Sequence, residues 1–154
     1  MPRHIRLATG LVTATALAVL LGGCNAARDQ LSGPPRDEND VPITRLVKDA
    51  VTEALPDAAE VTPRAGLDGF AYRMGLTVTW PDEQPLDADA VAAGARAICE
   101  HLTGFDYVDY GFYLAGEDRR VDLTELWPRT FPDVGRVDRS TVTFLEDDCT
   151  AIRS

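Results

Sequence analysis

The sequence predicts an α+β fold: a two-layer sandwich built from a duplicated helix-strand-strand unit, with an antiparallel sheet carrying two helices on one face. Three observations predict it. Two stretches of helical periodicity each lead into strand-like alternation. The 114 residues from Val41 to Ser154 are enough for one core and too few for two. The chain also matches itself at an offset of 47 residues.

The first helix is expected over 42–55. Ile43, Leu46, Val47, Ala50, Val51 and Ala54 of "ITRLVKDAVTEAL" form one apolar stripe, and Pro56 stops it. A weak strand near Ala58 to Thr62 is expected next, followed by a turn-rich "PRAGLDG". In "FAYRMGLTVTW", Phe70, Tyr72, Met74, Leu76, Val78 and Trp80 alternate with Ala71, Arg73, Gly75, Thr77 and Thr79. This period of two is a half-buried strand, and Pro81 ends it. The second helix, about 88–102, carries Val91, Ala95, Ile98 and Leu102 as its stripe, with Asp87 as cap and Gly104 as stop. "DYVDYGFYLAGEDRRVDLTELW" reads as a hairpin turning at Gly116-Glu117-Asp118, and a C-terminal strand is expected over 140–146.

The self-match runs without gaps between 50–85 and 97–132. Ala50, Glu53, Leu55, Val61, Leu67, Gly69, Arg73, Leu76, Thr77, Trp80, Pro81 and Pro85 recur as Ala97, Glu100, Leu102, Val108, Leu114, Gly116, Arg120, Leu123, Thr124, Trp127, Pro128 and Pro132. Ordinary usage would give about 2 or 3 identities over that length. Pseudo-repeats at about 43–85 and 90–132, related by a pseudo-twofold axis, follow as an expectation. One helix and one hairpin cannot cover their own apolar faces, whereas two such units together can.

The N-terminus is of another kind. "MPRHIR" is basic, no acid precedes residue 29, and Leu7 to Leu21 is uncharged. That is the pattern of an export signal, and the run is shorter than the roughly 20 residues of a spanning helix. Its end, Leu21-Gly22-Gly23-Cys24, resembles the lipobox of bacterial lipoproteins. The resemblance implies that residues 1–23 are a signal peptide, that Cys24 Sγ takes a diacylglyceryl group, that cleavage frees the Cys24 amine, and that fatty acid such as palmitate is attached there. It implies a cell-membrane protein, lipid-anchored on the extracytoplasmic face. Residues 24–40, polar with Gly33-Pro34-Pro35, read as a flexible tether, and 41–154 as a single domain. One lysine among many Arg, Ala, Asp and Gly residues has the look of a GC-rich, actinobacterial genome. The helix-strand-strand doublet is similar in layout to BON domains, without a motif of that family.

The chain carries a net charge of −10, and residues 1–23 hold two arginines and no acid, so the remainder stands at −12. Such a balance argues against nucleic acid and against a polybasic grip on anionic lipid. With Cys24 lipidated, Cys99 and Cys149 form an even pair in an exported chain, for which a disulfide is expected.

Catalytic motifs are missing. His4 lies in the signal and His101 near the end of the second helix, where a cation suits the helix dipole. There is no Gly-x-Ser-x-Gly, His-Glu-x-x-His or phosphate loop. Asp87 and Asp89 suit helix capping. Glu146, Asp147 and Asp148 match no calcium loop, so no cofactor or metal is expected. One residue breaks the repeat: Glu125 stands where its twin is Val78. Either the sheet opens there to water, or a carboxylate sits in an apolar pocket with a raised pKa. Trp80 and Trp127 are read either as lids on the core or as partly exposed anchors for a partner. The functional expectation is a non-catalytic, lipid-anchored domain that binds an envelope protein or small ligand through its sheet or hairpin surface. The alternatives are an envelope enzyme with an acidic site near Glu125, and an envelope spacer.

Overall fold

The computed structural model describes residues 33–154 except 117 and 118. The expected signal peptide, Cys24, most of the expected tether, and Glu117 and Asp118 of the expected second hairpin turn lie outside the described residues. The order is α1 (Ile43–Ala54), β1 (Glu60–Asp68), β2 (Ala71–Trp80), α2 (Ala88–His101), β3 (Tyr107–Leu114), β4 (Arg119–Arg120), α3 (Leu126–Thr130), β5 (Arg136–Asp138), β6 (Thr141–Leu145) and α4 (Cys149–Arg153). No helix among the described residues is long and apolar enough to cross a membrane.

The α+β sandwich is what the chain builds. Ile43, Val47 and Val51 of α1 and Val91, Ala95 and Ile98 of α2 are buried, and the two helices pack on each other. Beneath them lie Met74, Leu76, Val78 and Trp80 of β2, Val108, Tyr110 and Phe112 of β3, and Val142 and Phe144 of β6. Asp87 caps α2 as expected, its Oδ1 accepting the Ala90 amide at 2.8 Å. Gly104, at φ 72°, turns the chain from α2 toward β3. Gly94 is required for a different reason, because a Cβ there would collide with the hydroxyl of buried Tyr110.

The sheet is mixed, in the order β1-β2-β3-β6-β5, with β4 on β3. This corrects the antiparallel expectation. β2 and β3 run parallel, Met74 opposite Val108, because α2 carries the chain back along the sheet before β3 begins. The turn-rich reading of "PRAGLDG" is also corrected: Pro63 to Asp68 belong to β1, and only Gly69, at φ 63°, and Phe70 form the turn. Pro63 is tolerated because β1 is an edge strand, where the missing N–H leaves the ladder to β2 intact.

The repeat holds for part of its length. The pairs Gly66↔Arg73 and Leu67↔Tyr72 of the first hairpin reappear 47 residues on as Tyr113↔Arg120 and Leu114↔Arg119. After Arg120 the likeness ends. Residues 121–125 form no strand, and β6 takes the edge of β3. The pseudo-twofold is corrected as well. β3 is antiparallel to β1, so only a half-turn about the sheet normal superposes them on one face. That rotation would put β4 on the side of β3 that β2 occupies.

Two further differences concern the ends. Residues 34–42, placed partly in the tether, pack on the domain: Pro35 O accepts the Ile43 amide at 3.0 Å, and Arg36 bridges to Pro42. At the other end Cys99 of α2 and Cys149 of α4 are joined by a disulfide. Arg153 Nη1 donates to Cys99 O at 2.8 Å and Arg96 Nε to Ile152 O at 3.2 Å. The short helix α4 is an addition to the elements expected from the sequence.

Candidate functional site

Two helices on one face leave the other face of the sheet open, and its residues follow from the register. Three rows cross it: Arg64–Gly75–Asp109–Thr143, Thr62–Thr77–Gly111–Thr141, and Thr79–Tyr113–Arg120. The middle of this lattice holds two glycines and several threonines, while larger side chains stand at the borders. The result is a trough of about 680 Å³. Around Gly75 there is room, with only the Arg64 carbonyl 3.9 Å from where a Cβ would be, whereas Gly111 lies under the backbone of Ser140.

Three arginines and one aspartate border the trough. Arg73 Nε lies 3.5 Å from Asp109 Oδ2, and the Thr143 hydroxyl donates to Asp109 Oδ1 at 2.6 Å. Arg120 lies over the Tyr113 ring, 5.2 Å from its centroid, and donates from Nε to the Tyr113 hydroxyl. Arg64 is exposed and makes no ion pair among the described residues. Arginine forks of this kind present several N–H donors at once and suit carboxylates and phosphates. A second hollow of about 600 Å³ adjoins the first, shares Leu114, Arg120 and Ser140 with it, and adds Arg119 and Arg139. Arg139 is held there by Asp122, 3.6 Å away. The Thr124 hydroxyl and amide bonds keep Asp122 ionised to a pH below the usual carboxylate range, with Arg139 adding to the effect.

Both tryptophans are buried, which excludes them as exposed anchors in this conformation. Trp80 is 3% exposed and donates from Nε1 to Gln84 O at 3.0 Å; Trp127 is 1% exposed and donates to Val134 O at 2.7 Å. Their surroundings differ. Trp80 ends β2 and meets Phe112 edge-on, whereas Trp127 lies in α3, stacked on Phe144. Non-equivalent indoles rule out a symmetric duplication of the whole unit. Glu125 does not belong to a strand: it precedes α3, with its side chain 85% exposed and 3.5 Å from Arg129. It reaches water, and no apolar pocket encloses it. His101 is exposed at the end of α2, and no group of three metal-ligating side chains occurs among the described residues.

The alternation in the sequence identifies the outward face of β2, including Arg73, but leaves out Arg64, Asp109 and Tyr113 as its neighbours. Arg64 is hidden in the supposed turn. The alternation of "DYGFYL", with Asp109, Gly111 and Tyr113 on one side, is the signal for the other two. Comparison of the chain with known families, with curated proteins and with solved structures finds no match.

Proposed function

We propose that this chain is a lipid-anchored, non-catalytic domain on the extracytoplasmic face of a bacterial membrane, and that it binds an acidic protein or small ligand on the open face of its sheet. The observation that carries the reading is electrostatic. In a chain of net charge −10, the trough has three arginines against one aspartate at its border. A positive site on an acidic protein attracts a negative partner while the remaining surface repels non-specific ones. The lipobox-like tetrad ending at Cys24 supports the anchor, and the Cys99–Cys149 disulfide accords with an oxidising compartment. The enzyme reading draws no support from Glu125, whose carboxylate is exposed and paired with Arg129.

Capture of envelope components by the anchored protein tests the binding reading. Wild type is expected to retain an acidic partner that elutes as salt is raised, and Arg64→Ala/Arg73→Ala/Arg120→Ala to lose it. Equal capture by both proteins would sink the assignment of the face. Radiolabelled palmitate tests the anchor separately: it is expected to label wild type and to be absent from Cys24→Ser.

A further inference from the structure

The described residues expose three large apolar side chains: Phe70 at 92%, Leu145 at 52% and Leu67 at 47%. The register puts all three at one end of the sheet. Phe70 is in the β1–β2 turn, Leu67 pairs with Tyr72 beside it, and Leu145 pairs with Tyr107 at the start of β3, whose other neighbour is Arg73. Folding gives no reason for Phe70. It covers nothing in the core, and a turn position after a glycine ordinarily takes a polar residue. At the corresponding place in the second hairpin the sequence has Glu117.

The chain enters the domain at the same end. Pro35 lies against Gly104, where an added Cβ would come within 3.0 Å of its ring, and Gly104 precedes β3 at the end of the sheet that bears Phe70. Nine residues, 25–33, lie between Cys24 and Pro34, a leash of about 35 Å at full extension. A short leash keeps this end of the domain at high effective concentration near any surface that holds Cys24. Apolar contacts too few to recruit a free protein are then sufficient to hold a tethered one.

Charge gives no help. The one arginine named at this end, Arg73, is paired with Asp109, and Asp68, Asp106, Glu146 and Asp147 outnumber it; Asp68 is occupied by the Tyr107 hydroxyl at 2.7 Å and Asp106 by the Tyr72 amide at 2.6 Å. The contact must therefore be apolar, with the carboxylates left among the headgroups.

We infer that the Phe70 turn, with Leu67 and Leu145, seats in the surface of the bilayer that carries the anchor. The domain then stands with the Trp80 end of its sheet outward and its arginine-bordered face at right angles to the membrane. The inference rests on the acylation of Cys24.

The test uses the full lipoprotein reconstituted in phosphatidylcholine vesicles with and without brominated acyl chains. Phe70→Trp adds a fluorophore to the two buried native indoles, whose emission in wild type serves as background. The added emission is expected to shift to the blue on reconstitution and to be quenched by the brominated lipid. Adding Leu67→Asp and Leu145→Asp should reverse both effects, and Glu83→Trp, at the opposite end, should be unaffected. Unquenched, water-like emission from Phe70→Trp in a protein whose Cys24 carries acyl chains by mass spectrometry overturns the seating alone. Equal quenching of Glu83→Trp overturns the orientation. A Cys24 without acyl mass overturns the anchored reading, and the seating with it.

Discussion

The chain folds one pattern twice and finishes it only once. In both halves a helix leads to a strand and a turn, and the hairpin pairs begin in the same register. β2 then continues for ten residues, whereas β4 stops after two. The residues at the divergence explain it. Where the first half has Gly75, Val78 and Thr79, the second has Asp122, Glu125 and Leu126. Asp122 Oδ1 accepts the Thr124 amide at 3.0 Å and its hydroxyl at 2.6 Å, a side-chain turn that competes with the ladder. Leu126 begins α3, and the edge of β3 thus released is taken by β6. Seven identities, from Ala97 to Arg120, accompany a shared local shape, whereas the five beyond Arg120 do not preserve it; a few polar substitutions decide the pairing.

The largest test concerns the tryptophans, identical in sequence and different in setting. Trp127→Ala and Trp80→Ala should each lower stability by about 3–5 kcal/mol in urea titrations. The two should differ in partnership: Phe144→Leu should diminish the effect of Trp127→Ala and leave that of Trp80→Ala unchanged, because only Trp127 stacks on Phe144. Equal coupling would make the settings equivalent after all.

The disulfide belongs to the second half only, since Cys99 corresponds to Thr52 in the first. It closes a separation of 50 residues. Chain entropy predicts that Cys99→Ala/Cys149→Ala costs about 4 kcal/mol. Calorimetry on the double variant would show the loss, and an unchanged melting temperature would leave hydrogen bonds and packing as the only ties on α4.

Gly94 corresponds to buried Val47. The first half fills a place that the second leaves empty for Tyr110. Gly94→Ala should cost about 1–3 kcal/mol through overpacking, and Tyr110→Phe should recover a large part of it by removing the oxygen. A residual clash is expected, as Tyr110 Cζ is 3.0 Å from the added Cβ.

The smallest effect appears only in alkali. Burial pushes the Tyr110 phenol well above its ordinary value, and its hydroxyl donates a long hydrogen bond to the Val91 carbonyl at 3.4 Å. An unfolded tyrosine ionises near pH ~10, so Tyr110 contributes full stability below that pH and loses it as pH rises further. Tyr110→Phe should be close to wild type at neutral pH and flatten the alkaline fall in urea midpoint. A parallel fall in both proteins would assign the loss to other groups.

Much of this fold is legible along the sequence. The helical stripes, the Asp87 cap and the alternation of β2 report local constraints, and the disulfide is legible from the even number of cysteines left once Cys24 is set aside, although it joins residues 50 apart. What stays hidden is pairwise. "PRAGLD" looks like a turn because Pro63 and Gly66 are poor strand formers, yet an edge strand with one partner accepts them. The parallel pairing of β2 with β3 leaves no mark on either strand, since their inward faces would read the same in either direction. The trough is hidden for a related reason: Gly75 and Gly111 carry no chemistry of their own, and become informative only when the register sets them among Arg64, Asp109 and Tyr113.

The place of β6 governs the order in which the molecule can be completed. The elements α1, β1, β2, α2 and β3 all precede residue 115, but the long edge of β3 is covered only by Thr141–Leu145, beyond residues 115–140. Until β6 is in place β3 presents an unsatisfied edge next to an unfinished core, the condition under which neighbouring chains pair with one another. Closure comes with α4, when Cys149 reaches Cys99 and Ile152 enters the interior. A chain cut just short of residue 141 would hold most of the sequence and leave the edge of β3 from Tyr107 to Gly111 unpaired.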